Sequence, residues 1–379
     1  MGTLFPILLT NLLYSENPLA TLSWSLHFLL YYLFLVVLRS TPRGLKAISK
    51  EPRGLQVVIP PILTLSLFFQ TILALTQVFL GHSVGGLLYY FGERNVSVGS
   101  PGVALATFMD HVVLRAYGTF GHPNVLAGFA VISLLIILRL HPRPLGSDPL
   151  SKRTLLKRNS RLQVEKGPVA TGRRVLMGTM FPLLLASLLV LLTQSRAAAL
   201  SLFGFVIPFY LIKKTKNGTL FIYFILGVAV SLVTSFYSPP RSDLSSTQRI
   251  DLQQLSLTVI KNYPIFGTGA QASISTYPLV DSTVRLLQPD HNSFTLLISW
   301  FGLFGVLAVF SAAKWSDLEG RAQPRDMQSA EGQTLKLLFP LLPLLFLDHY
   351  LFTSPQGLFI LLLYLTIAVN YSHAQKNLQ

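Results

Sequence analysis

Residues 121–140 read GHPNVLAGFAVISLLIILRL, an almost unbroken apolar run with a single charged side chain, Arg139, near its end. A helix of this length spans about 30 Å, which is the thickness of the hydrocarbon core of a bilayer. Similar runs recur along the 379-residue chain, which is 51% hydrophobic and only 12% charged. Soluble cores do not carry so many long apolar runs, so the sequence predicts an all-α polytopic membrane protein.

The spans are expected to form one integral-membrane domain, 1–379, and to number about nine to eleven. They are assigned to residues 19–38, 57–80, 121–140, 175–194, 197–212, 219–236, 293–313, 337–350 and 356–371, with a shorter run at 4–14. The arms 175–194 and 197–212 form a predicted helical hairpin whose tip is Gln194-Ser195-Arg196.

The charged residues divide unevenly between the two sides of the predicted membrane. The chain has 30 Lys and Arg against 15 Asp and Glu, a net charge of +15. One side, which includes the basic loop 141–174, holds 23 of the 30 cations but only 7 of the 15 acids. Positive residues accumulate on the cytoplasmic side of membrane proteins, so this side is predicted to be cytoplasmic. Its charge suits membrane lipids, and nucleic acid is not expected as a partner.

The opposite side carries the longer polar segments that the chemistry needs. Residues 81–120 are predicted to be an extracytoplasmic or re-entrant segment, with an interfacial or re-entrant helix at 103–114. Residues 175–313 are the predicted core and include the large extracytoplasmic loop 237–292. Apolar and polar residues alternate in this loop in a way that predicts an amphipathic helix near 246–262.

Several classes of catalytic site are excluded by composition. The chain has no cysteine, so disulfides, thiol catalysis and thiolate metal sites are impossible. It also lacks the glycine-rich phosphate loop of ATPases and the H-E-x-x-H motif of zinc proteases. Several histidines share the extracytoplasmic side, but without the paired spacing that favours a metal ion, so no metal and no other cofactor is expected.

Three arginines on the extracytoplasmic side are candidates for binding a phosphate group. Arg196 is at the hairpin tip, Arg249 is on the amphipathic helix, and Arg115 shortly precedes the helix start at Pro123. A guanidinium presents a rigid fork of donors that matches phosphate oxygens. Each arginine also has a simpler interpretation. Arg196 would be a snorkelling residue at the membrane interface, Arg249 a solvated surface residue, and Arg115 part of a capping loop.

The stretch Asp290-His291-Asn292-Ser293-Phe294 holds the best candidate for a general base, His291. The ordinary pKa of histidine, about 6.5, lies close to neutral pH, as efficient proton transfer requires. The alternative is a helix cap, in which Asn292 or Ser293 caps the following span. Further polar residues on this side are candidates for acceptor binding or structural support, namely His122, Asn124, Asn292, Asp348 and His349.

Four stretches together resemble the O-antigen ligase and polymerase superfamily of bacterial membrane glycosyltransferases. They are Gly121-His122-Pro123-Asn124-Val125-Leu126-Ala127-Gly128, then Thr193-Gln194-Ser195-Arg196-Ala197-Ala198, then Arg249 with Asn262-Tyr263-Pro264-Ile265-Phe266-Gly267-Thr268-Gly269, then His291-Asn292-Ser293-Phe294 with Gly302 and Gly305. Each stretch is a weak signal alone, but their common order and side of the membrane are specific. A less specific similarity extends to Gly92-Glu93-Arg94 and Asp348-His349-Tyr350.

The resemblance implies a GT-C-like fold and a metal-independent, inverting glycosyl transfer on the outer side of the bacterial inner membrane. The donor is then a polyprenyl-diphosphate-linked glycan, and the acceptor is a hydroxyl of a lipid, a glycan or a protein. Arg196 and Arg249 match the family's diphosphate-binding arginines, and His291 matches the residue taken as the base. Fixed arginine charges stabilise a diphosphate as it leaves.

Two features depart from the family pattern. Trp300 stands where many relatives have a glutamate, nine residues after His291. The short run 4–14 and the small number of spans indicate an N-terminal part shorter than that of relatives. The leading interpretation is a ligase, with a repeat-unit polymerase or a protein O-glycosyltransferase as alternatives. A polysaccharide or lipid transporter would need ionisable residues at mid-membrane depth, and the predicted spans contain almost none apart from His27.

Overall fold

The computed structural model describes residues 4–40, 53–108, 111–140, 169–208, 244–281, 288–319 and 339–376. Three helices in these ranges are long and apolar enough to cross a membrane, and they contain Pro18–Val37, Val58–Leu80 and Pro123–Leu140. These helices support the predicted helical membrane protein. The expected span at 219–236 and most of the basic loop 141–174 lie outside the described residues, so the expected number of spans stays a prediction.

The described residues form twelve α-helices. In chain order they are α1 (Leu4–Leu13), α2 (Pro18–Ser40), α3 (Arg53–Leu80), α4 (Pro123–Leu140), α5 (Val169–Thr193), α6 (Arg196–Ala199), α7 (Leu244–Asn262), α8 (Ser273–Val280), α9 (Ser293–Glu319), α10 (Leu342–Leu347), α11 (Tyr350–Thr353) and α12 (Pro355–Lys376). A π-helix, Leu200–Val206, continues α6, and 3-10 helices form at Gly86–Phe91 and Phe339–Leu341. Two strands, β1 (Leu105–Phe108) and β2 (His111–Leu114), pair antiparallel.

Helix α4 is the centre of the molecule. Its side chains are apolar all round, so every face can be buried against another helix. In α4, 83% of the residues are buried, whereas in the Pro18–Val37 part of α2 only 22% are. Helices α3, α5 and α12 surround it. The N-terminal end of α4 is therefore a fixed point, and the residues just before it are held with the precision of the core.

Helix α9 is broken where a loop inserts into it. Gly302 has a φ of 59° and a ψ of −171°, and the helix resumes on its far side. The backbone N–H groups of Leu303 and Phe304 donate to the carbonyl oxygens of Pro264 and Ile265, at 2.8 and 2.9 Å. The loop 263–270, called the motif loop below, thus accepts the hydrogen bonds that the break leaves unmade.

The N-terminal helix pair holds the other side of the motif loop. The buried Asn11 side chain of α1 donates to the Trp300 carbonyl oxygen at 2.6 Å and accepts from the Ala270 N–H at 2.9 Å. The N–H of Glu16, between α1 and α2, donates to the carbonyl oxygen of Thr268 at 2.9 Å. Hydrogen bonds from a side chain and from the backbone of the N-terminal helix pair thus join it to backbone groups more than 250 residues later in the sequence.

Two sequence predictions about local structure are confirmed. The amphipathic helix expected at 246–262 is α7. The tip of the hairpin expected at 175–194 and 197–212 is the turn at Gln194-Ser195, between α5 and α6, and the described part of the second arm ends at residue 208. Gln194 has a φ of 50°, which makes the sharp turn possible, and the Ser195 hydroxyl accepts from the Ala198 N–H.

Two other predictions are wrong. The stretch 103–114 contains the hairpin β1–β2 instead of an interfacial or re-entrant helix, because Thr107, Val112 and Val113 are β-branched residues that favour strands. The expected span 337–350 has no spanning helix in its described part. Prolines interrupt it, leaving a 3-10 turn and the six-residue helix α10, which is about 9 Å long.

Candidate active site at the end of α4

Three separate segments meet above the N-terminal end of α4. The first is the turn 115–122 that leads into α4, the second is the loop 288–292 before α9, and the third is the break between α10 and α11 at Asp348-His349. The Ser293 hydroxyl ties the second to the third by donating to the Asp348 carbonyl oxygen at 2.7 Å. Helix α7 supplies a fourth contribution, Arg249, whose charge acts on residues of all three segments.

Five aromatic rings from these segments form a continuous row. Tyr117 meets His122 edge-on, with ring centroids 6.2 Å apart, and His122 stacks on Tyr350 at 4.6 Å. Tyr350 lies 3.9 Å from His349, and His349 meets His291 edge-on at 5.0 Å. Three histidines from distant parts of the sequence are therefore neighbours. Tyr117 and Tyr350 are site residues that were not candidates from the sequence, although Tyr350 lies in a stretch that resembles the family.

A chain of polar groups runs beside the rings. Arg115 donates from Nη2 to the Asn124 side-chain oxygen at 2.6 Å and from Nε to the Thr193 carbonyl oxygen at 2.7 Å. The Asn124 side chain also hydrogen-bonds the Asp348 carboxyl group. Arg115 therefore links the start of α4 to the end of α5 and, through Asn124, to Asp348. These bonds use two of the five N–H donors of its guanidinium, which gives Arg115 a structural role and leaves donors for an anion.

Arg249 and His291 have buried polar atoms without partners. The Nε atom of Arg249 and the Nδ1 atom of His291 are both buried, and neither has a hydrogen-bond partner among the described residues. An unsatisfied buried donor or acceptor costs about 1–3 kcal/mol. Such a cost is tolerated where a ligand completes the hydrogen bonds, which makes this pair the strongest sign of a binding site.

Burial and neighbouring cations keep the site's histidines uncharged. Desolvation, followed by the charge of Arg249, lowers the pKa of His291 to about 4. Desolvation and then Arg115 lower the pKa of His122 to about 3, and the pKa of His349 is well below its ordinary value. Burial has the opposite effect on the Asp348 carboxyl group, whose pKa is raised to about 7 although Arg249 acts against this shift.

A buried polar network supports the loop that carries His291. Asp290, one residue before it, accepts hydrogen bonds from the Thr295 hydroxyl and from the Asn292 N–H, the latter at 3.1 Å. Asn292 caps α9 by accepting from the Phe294 N–H at 2.9 Å. The capping interpretation of this stretch is thus correct for Asn292, and it leaves the His291 side chain free to face the rings.

Tyr277 and Trp300 extend this network into α8 and α9. The Tyr277 hydroxyl contacts the Ser256 hydroxyl at 3.2 Å, and it also bonds Ser273 and the backbone at Asp290. The indole N–H of Trp300 donates to the Ser273 hydroxyl at 3.0 Å. Trp300, which replaces the expected glutamate, thus lies below the site as a hydrogen-bonded packing residue. No motif marks Tyr277, which is a lone tyrosine in the predicted loop 237–292 and lies in α8 in the structure.

A second network fixes the turn before α4. The buried carboxylate of Glu93 accepts hydrogen bonds from the Gln77 side chain at 2.7 Å and from the N–H groups of Val84 and Gly85 at 2.8 and 2.7 Å. Gln77 in turn accepts from the N–H groups at the Tyr117-Gly118 turn, at 3.1 and 2.8 Å. Glu93 therefore positions the turn that carries Arg115 and His122.

Arg196 lies at the start of α6, close to the end of α5 that contacts Arg115. It is half-buried, three residues after Thr193, whose carbonyl oxygen binds Arg115. Electrostatic effects join Arg115, Arg249, His122, His291, Asp348 and His349, and the structure brings these six together. Within the described part of the chain, no three His, Asp or Glu side chains are arranged to share a metal ion.

The fold and the site define a helical membrane protein with a polar, cation-rich site at the ends of its helices. The family model described as O-antigen ligase matches residues 181–310. This segment is similar to the O-antigen ligase family, which confirms the resemblance predicted from the sequence motifs. The matched range includes Arg196, Arg249 and His291. No curated protein and no solved structure matches the chain significantly.

Proposed function

We propose that this protein transfers a glycan from a polyprenyl diphosphate carrier to an acceptor hydroxyl, with His291 as the general base. The observation that carries the proposal is the pair of buried, unpartnered atoms, Arg249 Nε and His291 Nδ1, on neighbouring sides of one site. The Arg249 Nε–H can donate to an anionic leaving group, and His291 Nδ1 can accept the proton of an acceptor hydroxyl. Glycosyl transfer to a hydroxyl needs both. The match to the O-antigen ligase family supports the same reaction class.

The reaction balances with the groups present. The acceptor O–H gives its proton to His291 while its oxygen forms a bond to the anomeric carbon, and the bond from that carbon to the diphosphate oxygen breaks. The diphosphate leaves with the electron pair, and the attack from the opposite face inverts the anomeric centre. Arg249 and Arg196 are assigned to the departing charge, and Arg115 to the same anion from the α4 side.

The low pKa of His291 suits a base that becomes stronger when the donor substrate binds. Without bound donor, burial and Arg249 keep the imidazole neutral at any pH above about 4, so it can accept a proton. A diphosphate bound at Arg249 neutralises that arginine's effect on the ring. Its negative charge therefore raises the pKa of His291 and strengthens the base when donor is present.

The remaining assignments follow from position. His122, Asn124, Asn292, Asp348 and His349 are acceptor-side or supporting residues, since they pack around the base and the arginines. The proposed enzyme lies in the bacterial inner membrane with this site on the extracytoplasmic side, contacts membrane lipids, and uses neither metal nor cofactor. A ligase is the leading assignment, and a polymerase or protein O-glycosyltransferase would share this machinery.

The test is transfer from a synthetic polyprenyl-diphosphate glycan by the purified full-length protein. We expect His291→Ala and Arg249→Ala to lower turnover at least about a hundredfold, the usual effect of losing a base or a leaving-group donor. His82→Ala, at an exposed histidine, and Lys261→Ala, at an exposed cation on the same helix as Arg249, are matched controls that should keep activity.

The outcomes separate the parts of the proposal. Wild-type turnover in His291→Ala would remove His291 as the base, and loss of activity in a chelator would contradict a metal-independent reaction. The product identifies the acceptor class, because a polymerase gives a ladder of repeat units and a ligase gives one transfer per acceptor. A product that keeps the donor's anomeric configuration would contradict direct displacement.

A further inference from the structure

The short 3-10 helix Gly86–Phe91 exposes almost all of its large side chains. Leu87 is 77% exposed and Tyr90 is 83% exposed, and Tyr89 and Phe91 are similar. The helix has no buried residue and no charged residue. We call this helix, with sequence GLLYYF, the aromatic helix. Four large apolar or aromatic side chains facing water on six residues would be unfavourable, at about 25 cal/mol for each Å² of apolar surface.

We propose that the aromatic helix is a membrane-surface anchor, whose side chains insert into the lipid headgroup region on the side of the candidate site. No part of the assigned chemistry uses these residues, and the proposal is independent of the glycosyltransferase assignment. Its occupant is the surrounding bilayer lipid.

Continuity with a spanning helix supports lipid as the occupant. The aromatic helix begins six residues after Leu80, the end of the Val58–Leu80 span. Phe79, in the last turn of that span, is 90% exposed, and Ile72 and Leu75 are exposed further down. The aromatic helix thus extends an already lipid-facing surface at the point where the span leaves the hydrocarbon core.

The composition of the aromatic helix fits the boundary between lipid and water. Tyrosine is enriched at this boundary because its ring is apolar and its hydroxyl remains hydrated. Exposed polar residues flank the aromatic helix in the sequence, with His82 before it and Arg94 after it. Such a segment lies in the interface instead of spanning the bilayer.

The helix is held in place, so its side chains cannot fold back to cover themselves. Glu93 binds the N–H groups of Val84 and Gly85 immediately before the helix. Gly92 closes the other end with a φ of 99°, and its N–H donates back to Tyr89 at 3.1 Å. The buried Glu93 carboxylate therefore fixes the start of the aromatic helix, and backbone hydrogen bonds from Gly92 and Glu93 fix its end.

The test uses the absence of cysteine from the chain, which makes single labelling simple. Leu87→Cys and Tyr90→Cys are each labelled with an environment-sensitive fluorophore in the full-length protein, at one copy per lipid nanodisc. Gly99→Cys is the matched control, since Gly99 is exposed, has an ordinary φ and has no heavy atom within 4 Å of an added Cβ.

We expect lipids that carry a quencher just below the headgroup to quench the labels at 87 and 90 at least about twofold more than the label at 99, as an interfacial depth requires. Equal quenching by a water-soluble quencher at all three positions would overturn the proposal. If the labels become buried only when a nanodisc holds two copies of the protein, the proposal would also be overturned, because the aromatic helix would then contact a second copy.

Discussion

His122 is a histidine that the fold keeps uncharged. Its Nδ1 atom accepts a hydrogen bond from the Asn124 N–H at 3.2 Å, which only a deprotonated nitrogen can do, and its ring stacks on Tyr350. Both contacts are consistent with the folded-state pKa of about 3, against 6.5 for an ordinary histidine. Protonation of this residue therefore opposes the native packing of the site.

This difference predicts a pH dependence of stability. Between pH 6.5 and about 3 the unfolded chain binds a proton at His122 that the folded chain does not. Stability due to this residue is therefore complete above about pH 6.5 and is lost as the pH falls, by up to about 1.4 kcal/mol per pH unit. Relative to His122→Asn, the wild type should lose thermal stability in detergent between pH 7 and 5.

His82→Asn, at an exposed histidine, provides the control for this comparison and should follow the wild-type curve. Parallel melting curves for wild type and His122→Asn across this range would show that His122 ionises equally in both states.

Trp300 marks the limit of residue-by-residue prediction. The motif spacing identifies Trp300 as the residue that stands in place of a glutamate. It does not predict what surrounds Trp300, because the neighbouring side chains come from α2 and α8. The Trp24 ring packs edge-on at 5.8 Å, and Ser273 accepts the indole hydrogen. The residue is 1% exposed, so an ionised glutamate here would need compensating partners. Long-range contacts likewise explain why neither Tyr277 nor Tyr350 was a candidate site residue, although Tyr350 lies in a stretch that resembles the family.

At the level of elements, the broken helix α9 and the motif loop depend on one another. An added Cβ at Gly267 would lie about 2.5 Å from the Trp300 backbone, and one at Gly302 would overlap the Ile265 carbonyl oxygen. Both glycines also have a φ between 59° and 70°. The glycines of these two motifs thus have one physical explanation, since two backbone segments approach more closely than side chains permit.

Gly302→Ala should consequently destabilise the protein by at least about 2 kcal/mol, from unfavourable φ and from overlap with backbone that cannot move independently. The measurement is the melting temperature of the purified protein in detergent. Gly99→Ala is the matched control, because its added methyl group meets nothing within 4 Å. Equal melting temperatures for both variants would mean that the motif loop does not enclose Gly302.

The elements that sequence periodicity predicts well are those with a single strong signal. The apolar runs 19–38, 57–80 and 121–140 correspond to α2, α3 and α4, and the amphipathic pattern gives α7. The hairpin β1–β2 was missed because a short apolar stretch fits a helix or a strand equally by composition. The segment 337–350 was predicted to be a span because it is strongly apolar, but its prolines break the helix.

At the level of the whole molecule, the N-terminal helices act as a clamp on the motif loop. Asn11 uses both its amide donor and its carbonyl acceptor, on Trp300 and Ala270, and it is only 3% exposed. Asn11→Ala leaves the Ala270 N–H unpaired and removes one of the two hydrogen bonds to the Trp300 carbonyl oxygen, which keeps the one from the Gly269 N–H. We therefore expect a loss of about 1–3 kcal/mol.

Thermal unfolding and limited proteolysis of the loop around 263–270 check this expectation together, since the loop should be cut faster in Asn11→Ala. Asn95→Ala, at an exposed asparagine, should change neither. Unchanged melting and cutting in Asn11→Ala would show that the N-terminal helices contribute nothing to the loop's position.

The row of rings also has a consequence for the order of biosynthesis. The five rings come from three parts of the chain, and His349 and Tyr350 follow Tyr117, His122 and His291 in the order of synthesis. A nascent chain that has not yet reached His349 therefore lacks the ring that contacts His291 edge-on. The site is consequently completed late in translation, after α9 has been made.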